Sequence, residues 1–390
     1  MGETKNSLTE WPENLKEIID WFLRVGGKDK GSLGYGKGKE LQKAVEALGG
    51  FSKEASGLGN FHLEGLFGYV TNGLMEFIGY DGAWTVTGKG IGRNGNSPYT
   101  SSYGDQAQWN GDLNKPGTTN ANKAALIFLG TMPIVYLVMS YIYWRCSSRL
   151  NGHWKDSFLS GVNGVYLYRF LSAMGYSSDK LNININGEIV MTNVAEKLDE
   201  LSKTSDSASP KDYRAFLQKL EENAPTLPIN HPLCSLHILA TKYFNSQSQL
   251  APAKQIIKTI NRFKEKLIEH SIREESSYFS SSDSGDYDDL KEPIINLLSQ
   301  VAQFKPDDTH NKLGEGVNQA AGQAGKEGEK IGRGVHHGAN QGGASSAQPS
   351  PAGPVAGAVT TLSLGGGAAA AYLFNIGGAK TLVNGILRIG

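Results

Sequence analysis

Residues 124–144 read AALIFLGTMPIVYLVMSYIYW, 21 consecutive uncharged and mostly apolar positions. At about 1.5 Å per residue a helix of that length spans about 30 Å, the thickness of a bilayer's hydrocarbon core. Tyr141, Tyr143 and Trp144 gather at one end, where the aromatic belt of a span sits, and Arg145 and Arg149 follow. Pro133 would kink such a helix without excluding it. The segment 123–146 therefore has two readings, a transmembrane helix or the buried helix of a large core. Its length favours the span. Cys146, two residues beyond Trp144 in a basic setting, is a lipidation candidate by S-palmitoylation, with an inert thiol as the plainer reading.

Outward from this run, the flanks read as helices. On the N-terminal side, Leu15, Ile18, Ile19, Phe22 and Leu23 fall on one helical face, after Pro12 and before the stop signal Gly26-Gly27. A second helix is predicted over Lys39–Leu48 and a third over Leu63–Ile78. Residues 79–122 lose periodicity, and their Gly, Asn, Ser and Asp predict long loops and no sheet. Residues 1–122 thus form an N-terminal helical and Gly-rich loop region.

On the C-terminal side, 147–304 reads as a helical region. Its predicted helices are marked by Tyr213, Phe216, Leu217 and Leu220, then by Leu233, Leu236, Ala240 and Tyr243. Ile256, Ile260, Phe263 and Leu267 mark a longer one, and Ile294, Leu298 and Val301 the last. Alternation around Asn186-Gly187 in Leu181–Met191 predicts a β-hairpin. The acidic, Ser-rich stretch 273–289 predicts a solvated loop.

Residues 305–354 are Gly, Ala, Gln and Ser with little to bury, which predicts a disordered linker. Residues 355–379, VAGAVTTLSLGGGAAAAYLFNIGGA, read as a C-terminal transmembrane anchor or as a Gly/Ala-rich helix lying on the protein. A short tail, 380–390, would then be cytoplasmic. Arg145, Arg149 and Lys155 place the C-terminal side of the first span in the cytoplasm, and Lys380 and Arg388 ask the same of the second. Two successive spans cannot both satisfy this. The first 30 residues contain no apolar h-region, so no cleavable signal peptide is expected. The expected fold class is mainly α, with long Gly-rich loops, a disordered linker and a membrane-anchor segment.

Bulk composition narrows the function classes. With 38 basic and 38 acidic residues there is no charge excess to argue for nucleic acid as a partner. Two cysteines, Cys146 and Cys234, allow no disulfide framework. Gly31–Gly38 approaches the phosphate-loop pattern, but Gly38 stands where a hydroxyl should hold Mg²⁺, and a helix precedes it where a strand is needed. Gly88-Lys-Gly-Ile-Gly92 is weaker still, having no flanking βαβ pattern. His336-His337 reads as a solvated pair, and His231 and His237 around Cys234 as members of a buried helix. No catalytic, metal or cofactor residue is expected from these patterns, and the protein reads as no enzyme.

Several stretches resemble the variant erythrocyte surface antigen family of Babesia. They are ENLKEIIDWFLRVGGKD, YDGAWTVTGKGIG with YTSSYGDQAQW, KAALIFLGTMPIVYLVMSYIYWRC, FLSAMGY, and GPVAGAVTTLSLGGGAAAAYLFNIGGAKTLVNGILRIG, in that order. The resemblance covers about half the chain, with the helical middle as the variable part. It implies a surface protein of the infected erythrocyte, antigenic variation and adhesion to a host endothelial ligand. It also implies exposure to host antibodies, a C-terminal membrane anchor and pairing with a related subunit. Larger members carry a Cys-rich region that two cysteines cannot supply, so a truncated relative or a reservoir copy for recombination is in view. The competing expectations are an intracellular helical membrane or scaffold protein and, remotely, a P-loop nucleotide-binding enzyme.

Overall fold

A computed structural model of the chain describes residues 4–28, 37–48, 63–80, 85–108, 119–148, 152–160, 165–204, 231–277 and 287–305. All of them fall within one unit, Met1–Lys305. Several predicted features lie outside the described residues: Gly31–Gly36, the helix carrying Tyr213 and Phe216, His336-His337, the linker from 306, the anchor 355–379 and the tail 380–390.

The protein is mainly α. Among the described residues there are nine α-helices, the first being α1 (Leu15–Val25). Asn14 caps it, its Oδ1 accepting from the Glu17 amide at 3.0 Å, while a Glu17 carboxylate oxygen accepts from the Glu13 amide at 2.8 Å. This is a capping-box exchange shifted back by one residue. The predicted stop is present. Gly27 takes φ 69°, and the Lys28 and Gly27 amides return to Leu23 and Arg24 in a Schellman closure.

The apolar run lies inside α4 (Thr119–Cys146), which starts earlier than the sequence suggested. Among the described residues it is the one helix long and apolar enough to cross a membrane, and 94% of its most apolar window is buried. What buries it is protein. Helix α4 packs against α1, α2 (Gly38–Ala47), α6 (Gly187–Thr204), α7 (His231–Ser246), α8 (Ala251–Ser277) and α9 (Lys291–Gln303). Each fully buried Leu, Ile, Val or Phe contributes roughly 1.5–3 kcal/mol of transfer free energy, so this helix organises the core. Pro133 removes one backbone donor, and just before it Thr131 Oγ1 donates to the Ile127 carbonyl at 2.6 Å. Close packing has a specific device as well. A Cβ on Gly130 would come within 2.8 Å of both Val301 methyls on α9.

Helices α2 and α3 (Leu63–Ile78) fall within a residue of their predicted places. Three expectations are corrected. Residues 79–122 contain a strand, β2 (Tyr103–Gln108), which pairs in parallel with β1 (Lys5–Ser7). The pairing is irregular and β1 has three residues, too few for a period to show.

The hairpin at Leu181–Met191 does not form. Leu181 bridges Gly92, Asn186 bridges Phe158, and Asn186-Gly187 opens α6. Asn serves an N-cap as well as a turn, and Asn186 Oδ1 accepts from the Ile189 amide at 2.9 Å. Val190, Met191 and Val194 are then buried on one face that packs on α3.

The stretch 273–289 is not wholly a solvated loop. Helix α8 continues to Ser277, and both Glu274 and Tyr287 are buried. Glu274 pairs with the buried Arg145 and accepts from Trp154 Nε1 at 2.9 Å. The partners lie 120 or more residues away in sequence, where composition has no reach.

Candidate functional site

The site with the clearest architecture is an open groove between residues 87–94 and residues 182–193, with a volume of about 610 Å³. Its geometry starts at the C-terminus of α3. There Gly79 takes φ 85°, and the last carbonyls of the helix receive the Ile91 and Gly92 amides, Ile91 to Phe77 at 2.8 Å and Gly92 to Ile78 at 3.0 Å. A Cβ on Gly90 would sit 2.3 Å from the Phe77 carbonyl oxygen, and one on Gly92 2.7 Å from that of Ile78. The Gly88–Gly92 pattern is thereby explained. Its glycines let the backbone seat itself on a helix end, and two of its amides satisfy carbonyls rather than a phosphate.

The second wall is tied to the first. The Asn182 amide donates to the Ile91 carbonyl at 2.8 Å and the Arg93 amide to Lys180 at 2.8 Å. The Asn182 side-chain amide donates to the carbonyls of Gly88 and Gly90, and its Oδ1 accepts from the Asn184 amide at 3.2 Å. From the first turns of α6, Asn193 Nδ2 reaches the Lys89 carbonyl at 3.4 Å. Two short backbone segments are therefore pinned side by side and hold Lys89, Arg93, Asn94 and Asn184 at the rim.

The lining has a definite character. It contains two cations, four asparagines and three isoleucines, and among the described residues it contains no carboxylate. Ile183 and Ile189 are each 46% exposed. Among the described residues, the side chains of Lys89, Arg93 and Asn184 have no hydrogen-bond or ion-pair partner. Chemically the groove offers positive charge, amide donors and acceptors, and a small apolar shelf.

The residues singled out by sequence are dispersed. Cys146 is fully buried at the end of α4, not exposed beside a bilayer, and a Cβ on Gly187 would meet its Sγ at 2.5 Å. His237 lies on α7, stacked on Tyr136 with ring centroids 4.4 Å apart. Burial first, and the charge of Lys264 second, push its pKa down to about 3. It is a neutral core histidine. Cys234, on the same helix, is partly exposed. Of the phosphate-loop-like pattern only Lys37 and Gly38 are described, and they open α2. Among the described residues no cluster of three His, Cys, Asp or Glu side chains is placed to hold a metal.

Sequence reasoning missed the groove because its members are separated by about ninety residues and carry no catalytic signature. It also missed a buried polar network on α1. Asp20, fully buried, accepts from the Tyr99 hydroxyl at 2.7 Å, the Ser102 amide at 2.8 Å and Lys16 Nζ at 2.6 Å. Nearby, Arg24 donates to the carbonyls of Gly104 and Tyr103 at 2.8 Å each. Burial, then the Asp20 charge, holds the Tyr99 hydroxyl well above the ordinary phenol range, so it stays a donor. The network fastens 99–104 to α1 and is structural.

Comparison with family models, with curated proteins and with solved structures returns no match.

Proposed function

We propose that this protein is a non-catalytic recognition protein, a membrane-anchored variant surface antigen of infected erythrocytes acting in antigenic variation and host-cell adhesion. One observation carries the reading. The stretches of the described chain that resemble that family interlock in space. Phe22 of the first lies 6.0 Å, centroid to centroid, from Phe128 in the apolar block. Tyr99 of the second block lies 6.2 Å from Tyr176 of FLSAMGY. The Lys16 amide donates to the Met174 carbonyl at 3.2 Å, joining the first block to FLSAMGY. Segments that pack on one another are what a shared scaffold requires, while the exposed positions of the helical middle are free to vary over it.

In this reading the anchor is 355–379 and the ectodomain is the unit ending at Lys305. Helix α4 serves that ectodomain as its core helix, because its apolar surface is occupied by six other helices. That removes the orientation conflict between two successive spans. The partners are a host endothelial ligand, host antibodies and a related subunit.

The test is protease treatment of intact infected erythrocytes, followed with antibodies to residues 231–277 and to the tail after Lys380. Loss of the first epitope with protection of the second is expected. Protection of both would place the protein inside the cell and favour a scaffold role.

A further inference from the structure

We propose that the groove between residues 87–94 and 182–193 binds an acidic oligosaccharide. Its carboxylate or sulfate groups would sit on Lys89 and Arg93, and its hydroxyls on the amides of Asn94, Asn184 and Asn193. The proposal rests on the recognition role above and names the ligand class of that site.

Charge is the first argument. Lys16 and Arg145 are matched by carboxylates within the fold, whereas Lys89 and Arg93 share a carboxylate-free lining and, among the described residues, have no ion-pair partner. Two such cations on one groove favour an anionic occupant. The amides are the second. Asn184 keeps its whole amide for a ligand. Asn94 uses its Oδ1 on the Gly95 amide, and Asn193 uses its Nδ2 on Lys89, so one retains donors and the other an acceptor. Paired donors and acceptors suit hydroxyls, each of which both gives and takes a hydrogen bond.

Ile183 and Ile189 supply the third. Exposed apolar side chains beside polar groups match the C–H face of a sugar ring. The volume of about 610 Å³ lies within the range of small-ligand clefts, about 300–1,000 Å³.

An acidic peptide is the competing occupant, and the backbone argues against it. Peptides commonly dock by adding a strand to a free edge. Here the amides of Ile91, Gly92, Arg93 and Asn182 are already bonded within the fold.

The experiment is biolayer interferometry of the purified full chain against four immobilised probes. These are a heparin-derived sulfated hexasaccharide, sialyllactose, lactose and polyglutamate. Binding to one or both acidic sugars and not to lactose is expected, and the stronger of the two identifies the anionic group. The Lys89→Glu/Arg93→Glu variant should weaken binding about tenfold or more, and Asn184→Ala about threefold. A charge-matched control, Lys254→Glu/Lys258→Glu on the exposed side of α8, should leave it unchanged, and circular dichroism checks the fold of each variant.

Absence of binding to both acidic sugars overturns the proposal. So does an equal loss in the control, which would mean diffuse charge attraction. Polyglutamate binding as strong as the sugars, and indifferent to Asn184→Ala, would give the groove to acidic peptides instead. None of these outcomes alters the protease result on intact cells, so failure of the ligand class is distinguishable from failure of the surface role.

Discussion

The Tyr99 hydroxyl donates a 2.7 Å hydrogen bond to Oδ1 of Asp20, a carboxylate with 0% exposure in the middle of α1. This contact turns the polar side of a helix into an interior surface. The ten residues buried along α1 include Glu17, Asp20 and Arg24, so the segment 99–104 covers a face that the helical pattern alone assigns to solvent.

Removing the carboxylate should be costly. Asp20→Ala takes the ion-pair partner from Lys16, which keeps its bonds to the Thr100 carbonyl and Ser102 Oγ, and removes the acceptor of the Tyr99 hydroxyl and the Ser102 amide at once. A loss of about 3–5 kcal/mol is expected, as for breaking a buried charged pair. Tyr99→Phe removes one bond and should cost about 1–3 kcal/mol. Urea denaturation of the two variants measures both, and an Asp20→Ala midpoint equal to that of Tyr99→Phe would contradict the network.

The α4–α9 contact makes a second prediction. Gly130→Ala places a methyl 2.8 Å from both Val301 γ-carbons. The overpacking cost of about 1–3 kcal/mol should exceed the gain of about 1 kcal/mol from replacing a helical glycine. Adding Val301→Ala makes room, so the double variant should be more stable than the sum of the single effects predicts. A double-mutant cycle with coupling below about 0.5 kcal/mol would remove the contact from the account.

Acid sensitivity should trace in part to His237. Its pKa in the fold is about 3, whereas an unfolded histidine titrates near about 6.5. Between those values the unfolded chain binds the proton and the folded chain does not. The stabilising difference is therefore complete above about pH 6.5 and is lost progressively as pH falls toward 3. The slope is at most about 1.4 kcal/mol per pH unit. His237→Phe should flatten the decline in urea midpoint between pH 7 and pH 4, and parallel curves would exclude this histidine as a source.

Thiol chemistry supplies the fourth. Cys146 is buried against Gly187 and beside Trp154, while Cys234 is partly exposed. Iodoacetamide followed by mass spectrometry should label Cys234 in the native protein and Cys146 only after unfolding. Fatty acylation of Cys146 in the folded protein would require this packing to open, and its detection would contradict the fold around α6.

The carbohydrate reading of the groove stands apart from these, since none of the five substituted residues lines it.

Much of the helical frame was legible from local pattern. The face of α1, its Gly26-Gly27 stop, the limits of α3 and the apolar run of α4 all follow from spacing within a few turns, because helix formation is governed by neighbours at i+3 and i+4. Other features have no such local signature. Asn186-Gly187 suits a hairpin and a helix N-cap equally, and it was decided by the burial of Val190, Met191 and Val194 against α3. The groove depends on Asn182 meeting Gly88 and Gly90, an encounter set by how α3 ends and α6 begins.

The same division applies to the segment 124–144. By itself the sequence determined that this stretch is a long apolar helix, because length and composition settle that much. Only the tertiary structure decided what its surface touches. Six helices bury it, and Val301 packs so closely over Gly130 that a single added methyl would come within 2.8 Å of it. Hydrophobicity measures how strongly a side chain leaves water, and it is silent on whether lipid or protein receives it.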